Sequence, residues 1–251
     1  MGLCPPVVHL DDGGTYRASK AQLWIGRCWT DYWQKVKTEA AGAPVWCVLD
    51  GDVFENQHHG TSQLWSLNPA DWQLAAQHVF TGLPIDRLFV VRGTEAHAGA
   101  SSHLEEQFGR DMGAEPNGDL ASWWDLPLLA SGVLFNVCHK GPLGRLPWTR
   151  SNPLNRLAYE LMDEAAHNGR RVPDIALRAH NHIVEENSPR CRIRVFALPA
   201  WQLRTAYVNS KGLPQIADVG GMTFWCKDGE WTHKTHLYRA SCPAPWSLKT
   251  T

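Results

Sequence analysis

The sequence predicts an α/β protein, and three observations carry that expectation. Apolar runs rich in β-branched and aromatic residues recur at 45–49, 85–91, 133–137 and 174–177, which is the composition of buried strands. Between them lie stretches whose apolar residues return every three or four positions, the spacing of amphipathic helices. Each run also ends in carboxylates or imidazoles, where α/β proteins gather their chemistry. Alternation alone supports the class and no particular architecture within it.

The 251 residues can bury one sizeable core or at most two small ones. No repeat, low-complexity segment or linker divides them, so a single domain over 1–251 is expected. A hydrophobic content of 43% with 20% charged residues excludes a disordered chain. A net charge of −1 gives no basic excess for nonspecific nucleic-acid binding, leaving room only for a local patch. The seven cysteines are odd in number and form no CxxC pair, which argues against a disulfide framework or a zinc knuckle and for a reducing compartment. With no apolar run long enough to span a bilayer and no signal pattern, a soluble cytoplasmic protein is expected. The 12 histidines are the telling excess. Several of the 13 tryptophans lie in polar surroundings (Trp24, Trp29, Trp33, Trp65, Trp72, Trp123, Trp124), which suits half-buried rings or an exposed interface.

In chain order, Val7-Val8-His9-Leu10 reads as a short strand broken by Asp11-Asp12-Gly13-Gly14. Ser19 opens a helix whose apolar face (Ala21, Leu23, Trp24, Cys28, Tyr32, Trp33, Val36) should pack on a sheet. The run 45–49 then delivers Asp50-Gly51-Asp52, followed by Glu55, Asn56, His58 and His59. A second helix spans 69–80, with Pro69 in its first turn. The strand 85–91 leads into Arg92-Gly93-Thr94-Glu95-Ala96-His97, and a third helix over 101–112 carries Glu105 and Glu106 on its outer side. Runs 123–129 and 133–137 form a hairpin around Ser131-Gly132, delivering Cys138-His139-Lys140. A helix over 155–168 ends near Gly169. The strand 174–177 delivers Arg178-Ala179-His180-Asn181-His182. The alternation of 191–198 reads as an antiparallel strand, and 222–225 and 235–238 as two more.

Four strand ends thus carry ligand-type residues: Asp52, Glu95 with His97, His139, and His180 with His182. Gathered in one sheet, they would suit a borderline or harder divalent ion such as Zn, Mn, Fe or Ni. In order and spacing, Gly51-Asp52, Gly93-Thr-Glu-Ala-His97, His139 and Ala179-His-Asn-His182 resemble motifs of the calcineurin-like metallophosphoesterases, over roughly 45–205. The surrounding sequence is similar to phage-encoded members of that family, which would place the protein in the cytoplasm of a bacterial host.

The resemblance implies a four-layer α/β/β/α sandwich, with or without its first strand. It also implies one or two divalent ions per chain and hydrolysis of a phosphate mono- or diester, DNA and RNA included, by a metal-bound hydroxide. Asp52 would bridge two metals, and His139 and His180 would complete one shell, with Glu95 (or Thr94) standing where the family has Asn. His182 would hold the other ion, and His97 would protonate the leaving alkoxide or steady the phosphate. His97 lies two residues after Glu95, whereas the family's Asn and His are adjacent. The family's leading Asp-x-His is also missing. Either the chain is truncated, or two ligands are lost, or His9 with Asp11 or Asp12 replaces them. The alternative is therefore a degenerate member that binds metal or nucleic acid with weak or no turnover. A metal-dependent hydrolase of another bond, such as an amide, is a third reading.

Further residues have two readings each. His58 and His59 line the substrate mouth or are solvated loop histidines. Lys140, Arg145 and Arg178 meet phosphate, or are a surface charge and a structural ion pair. Asp50 orients its neighbours or caps a turn.

Overall fold

The computed structural model describes residues 2–56, 64–210 and 217–241. Helix α1 (Lys20–Ala40) starts where the sequence places it. Ser19 accepts from Gln22 N–H while the Gln22 side chain accepts from Ser19 N–H, a reciprocal cap. Helix α2 (Pro69–Phe80) is capped by Asn68 with Pro69 in its first turn. A two-stranded ribbon, β1 (Val7–His9) and β2 (Thr15–Arg17), precedes α1.

Strands β3 (Trp46–Asp50) and β4 (Arg87–Val91) pair in parallel across α2. The other sheet has five strands in the order β5-β6-β7-β9-β8: β5 (Leu126–Ala130), β6 (Val133–Cys138), β7 (Ile175–Arg178), β9 (Arg194–Ala197) and β8 (Glu185–Glu186). A hairpin of β10 (Val219–Lys227) and β11 (Glu230–Tyr238) completes the strands.

Side-chain alternation sorts these strands into layers. Phe89 and Val91 of β4 enter one core with Phe135, Val137, Ile175, Leu177 and Phe196 of the five-stranded sheet, joined by Val48, Phe224 and Trp231. Leu88 and Val90, the alternate residues of β4, pack instead with Trp72 of α2 and with Leu104 and Phe108 of helix α4 (His103–Asp111). On the far side, Ala176, Val195 and Ala197 meet Leu154, Ala158 and Leu161 of helix α5 (Asn152–His167). The molecule is therefore layered helix, sheet, sheet, helix. Helix α1 packs its aromatic face (Trp29, Tyr32, Trp33) against Trp201, Phe80 and the β10–β11 hairpin.

Three expectations are corrected. Strand β9 is parallel to β7 and antiparallel only to the two-residue β8, because alternation reports which face a residue takes and not strand direction. The helix expected over 101–112 begins at His103, after a short helix α3 (Glu95–Ala98) and a kink where Ser101 and Ser102 take φ of 52° and 54°. Glu105, expected on the outer side, is completely buried, and Glu106 is largely so. The Glu105 carboxylate accepts from Val53 N–H (3.0 Å) and Gly93 N–H (2.5 Å), tying together the loops that leave β3 and β4. Glu106 meets Arg92, Arg110 and Ser122.

Candidate metal centre

The C-terminal ends of β3, β4, β6 and β7 converge. Gly51 turns the chain out of β3 at φ 74°, and a Cβ there would collide with the His139 ring and Gly93. Gly93 in turn lies against the backbone of Asp52, leaving no space for a side chain. Two glycines therefore let two loops touch. Asp52 follows with φ 54°, and His180 and His182 take φ of 68° and 54°. Left-handed backbone is uncommon outside glycine and costly to hold. Its presence at three candidate ligands marks a site over-determined by its surroundings. At His180 the reversal is a three-residue turn closed from Asn181 N–H to the Ala179 carbonyl (2.8 Å).

Asp52 is the hub. Its Oδ1 accepts from Thr94 N–H (2.7 Å) and from the Thr94 hydroxyl (3.0 Å). Its Oδ2 faces His139 Nε2 at 2.9 Å, His180 Nδ1 at 3.7 Å and His97 Nε2 at 3.9 Å. Asp52, His139 and His180 each offer a ligand atom, all within 4.8 Å of one another, and this is the one such group of three among the described residues. The fit to a divalent ion rests on two atoms. His139 Nδ1 bonds the Asp50 carbonyl at 2.5 Å, which directs Nε2 at the centre. His180 Nδ1 is buried with no hydrogen-bond partner, 3.7 Å being too long for one to Asp52.

The charges follow the geometry. Burial opposes ionisation of Asp52, but the His139 hydrogen bond and the imidazoles around it hold its carboxyl far below the usual carboxylate range. Burial would lower His139, yet the hydrogen bond to Asp52, the Asp52 charge and the Asp50 carbonyl raise it to about 9. His182 is pushed down to about 4, chiefly by burial, so its ring is neutral and open to an ion. Burial also pushes Asp50 and Glu105 up to about 7. His97 is raised: burial pulls it down, but Glu55 at 3.3 Å from Nδ1 and the Asp52 charge outweigh that. Gln202 donates to the other oxygen of Glu55 at 2.7 Å.

Asp52, His139, His180, His182 and His97 all border one cavity. Glu95 does not join them. It is exposed, and its carboxylate accepts from Ser101 N–H, while Thr94 is the residue that touches Asp52. Arg178 is buried, with its guanidinium donating to the Asn136 and Leu177 carbonyls and the Asn136 side chain. Those donors face the strands and not a substrate. Lys140 and Arg145 are exposed, and His58 and His59 lie outside the described residues. Asp11 bonds Asn68 and Asp71 at the start of α2, Asp12 closes a turn to Gly14, His9 is exposed, and none of the three borders the cavity. Sequence reasoning missed Glu105, which has no local signature. The contact of Glu55 with His97 was also missed, although Glu55 stands three residues after Asp52.

No family model and no curated protein sequence matches the chain. Among solved structures, a novel archaeal phosphodiesterase resembles it at 8% identity and TM-score 0.42, over 85% of this chain and 93% of that one. Wild-type Vps29 from Entamoeba histolytica, complexed with zinc, does so at 14% identity and TM-score 0.39, over 76% of this chain and 96% of that one. Likeness this distant assigns neither a family nor an activity. No described helix is long and apolar enough to cross a membrane.

Proposed function

We propose that the protein is a metal-dependent phosphoesterase acting on a phosphate mono- or diester, nucleic acid among the candidate diesters. The observation that carries this reading is the convergence of Asp52, His139 and His180 from three separate strand ends onto one point. When bound there, a divalent ion supplies Lewis acidity toward a phosphoryl oxygen and acidifies water. Asp52 Oδ2, His139 Nε2 and His180 Nδ1 would hold it, and the neutral His182 ring, which borders the same cavity, would be a further ligand. A mixed imidazole and carboxylate set suits Mn, Zn, Fe or Ni. Thr94 fixes the second oxygen of Asp52, so that Oδ2 stays turned to the centre. His97, backed by Glu55 and with its pKa raised by the carboxylates around it, serves as the proton donor to the leaving oxygen.

The test is purified protein with Mn, assayed on bis-p-nitrophenyl phosphate and on single-stranded DNA. Turnover is expected, with Asp52→Ala and His180→Ala each lowering it by about a thousandfold. A second reading, a metal-binding protein with little or no turnover, is favoured by one fact: a single three-ligand group exists among the described residues. Absence of turnover with at most one ion per chain would establish that second reading and sink the first.

A further inference from the structure

Between Asp125 and Glu160 the sequence carries no acidic residue, yet it carries Lys140, Arg145, Arg150 and Arg156. Arg156 is taken by Glu160, one turn on along α5. Lys140, Arg145 and Arg150 make no ion pair among the described residues, and Arg150 Nε is buried with no hydrogen-bond partner there. Elsewhere arginines sit on carboxylates: Arg92 and Arg110 on Glu106, Arg171 and Arg192 on Asp174, Arg194 on Glu186. The residues outside the described ones hold no Asp or Glu, so they bring no carboxylate side chain to these three cations. In a chain of net charge −1, this is the local basic patch for which the composition leaves room.

The three cations share one loop that leaves the candidate metal centre. Lys140 follows His139 directly, and the Gly141 carbonyl accepts from the Asn181 side chain, between His180 and His182, at 3.0 Å. Leu143 enters the core beneath α5. Gly144 N–H then donates to the Arg150 carbonyl at 3.3 Å, and a Cβ at Gly144 would strike the Thr149 backbone, so 144–150 closes on itself. Even fully extended, the chain from His139 to Gly144 spans no more than about 18 Å. The tip of the loop is a tight turn over Pro147–Thr149 that raises Trp148 into solvent. At 77% exposure Trp148 is the most exposed large apolar side chain among the described residues, and it makes no ring contact there.

Unneutralised cations around one exposed indole complement a chain of phosphates whose bases are free to stack. An acidic peptide would satisfy the cations and leave the indole in water. A duplex would satisfy them too, but its base faces are already covered by one another. We propose that the loop 140–150 binds single-stranded nucleic acid and leads it to the metal centre. This rests on the phosphoesterase reading above and names the substrate class of that site. Lys140, beside His139, meets a phosphate next to the scissile one. Arg145 and Arg150 meet phosphates further along, and Trp148 stacks on a base. Stacking reads no base edge, so preference for sequence is slight.

The full chain is titrated in EDTA, so that binding is read apart from turnover, with a fluorescein-labelled oligothymidylate of about twelve nucleotides. Saturable binding is expected, with log K falling against log salt at a slope of about −2 for three cations on a single strand. An abasic phosphodiester of the same length should bind about tenfold more weakly. Trp148→Ala should erase that difference, and Arg145→Gln should flatten the salt slope by about 0.7. If a variant fails to fold, the two probes against the unaltered protein decide the matter. Absence of saturable binding overturns the proposal, as does equal binding of the thymidylate and the abasic chain by the unaltered protein. So does binding to phosphatidylserine vesicles that Trp148→Ala abolishes while oligothymidylate stays unbound, the mark of a membrane surface. Hydrolysis of bis-p-nitrophenyl phosphate without oligothymidylate binding sinks the loop and spares the phosphoesterase reading. Binding without hydrolysis keeps the loop and sinks that reading.

Discussion

The five-stranded sheet and the β3–β4 pair face each other across one core, but they are built differently. In the first, β6 and β7 have strand neighbours on both sides, and Val137, Ile175 and Phe196 are almost wholly buried between them and the facing layer. In the second, β3 carries a partner on one edge and a cavity on the other, and its residues Val48 and Leu49 are only half-buried. The candidate metal centre lies on the seam between the two. His139, His180 and His182 come from the well-packed half, and Asp52, Thr94 and His97 from the open one. Candidate ligands from closed strands thus meet candidate ligands whose supporting strand borders a cavity, and Glu105 is the buried tie that holds the loops of the open half in register.

That contrast can be broken most directly by equal truncations on its two sides. Ile175→Ala deletes a fully buried side chain in a closed environment and should cost about 3–4 kcal/mol of unfolding free energy. Leu49→Ala removes a side chain that already borders the cavity and should cost roughly half as much, because less packing is lost. Urea denaturation of both variants measures the difference. Equal losses would mean that the β3 side is packed as tightly as the other.

The seam itself can be probed by pH in metal-free protein. His139 is raised from 6.5 to about 9, so its pairing with Asp52 contributes stability that is complete below about pH 6.5 and is lost as pH rises through 9. Asp52 has a depressed pKa, so its share is present above 3.8 and lost only in strong acid. Asp50 and Glu105, which burial pushes up to about 7, act with the sign of His139 but at lower pH. From about pH 7.5 to 9 the imidazole acts together with the thiols of Cys4, Cys47 and Cys138, which burial raises and which carry the same sign, so a variant at His139 is needed to separate its share. In EDTA the urea midpoint should fall across that interval, and His139→Gln should flatten the fall. An unaltered slope in the variant would show that the two groups are not paired.

The smallest expected effect lies in the open half. Thr94→Val deletes the hydroxyl bond to Asp52 at 3.0 Å and keeps the backbone bond at 2.7 Å. About 1 kcal/mol of stability and roughly tenfold in metal affinity should be lost, read by calorimetric titration with Mn.

Most of the scaffold was legible because its signals are local. Ser19, Pro69 and the β-branched run before Asp50 each announce an element within a few residues of chain. The histidines on strand ends were legible for the same reason: a strand that stops at His139 or His180 says where that side chain begins. What could not be read depends on residues far away in sequence. Glu105 looks like a solvated helix carboxylate until the loops at Val53 and Gly93, 52 and 12 positions away, turn their N–H groups toward it. Arg178 looks like a phosphate ligand until Asn136, 42 residues earlier, takes its guanidinium. Glu95 and Thr94 are adjacent, and only the entry into α3 decides that the threonine meets Asp52.

The left-handed backbone at Asp52, His180 and His182 has a consequence for any evolving population of this protein. Each of these residues holds a conformation that glycine or asparagine would adopt at lower cost, by about 1 kcal/mol. A library of variants sorted only for thermal persistence would therefore collect replacements at His180 and His182, whereas at Asp52 the hydrogen bonds to Thr94 and His139 hold the residue in place. The most durable molecules in it would be those that had lost the centre.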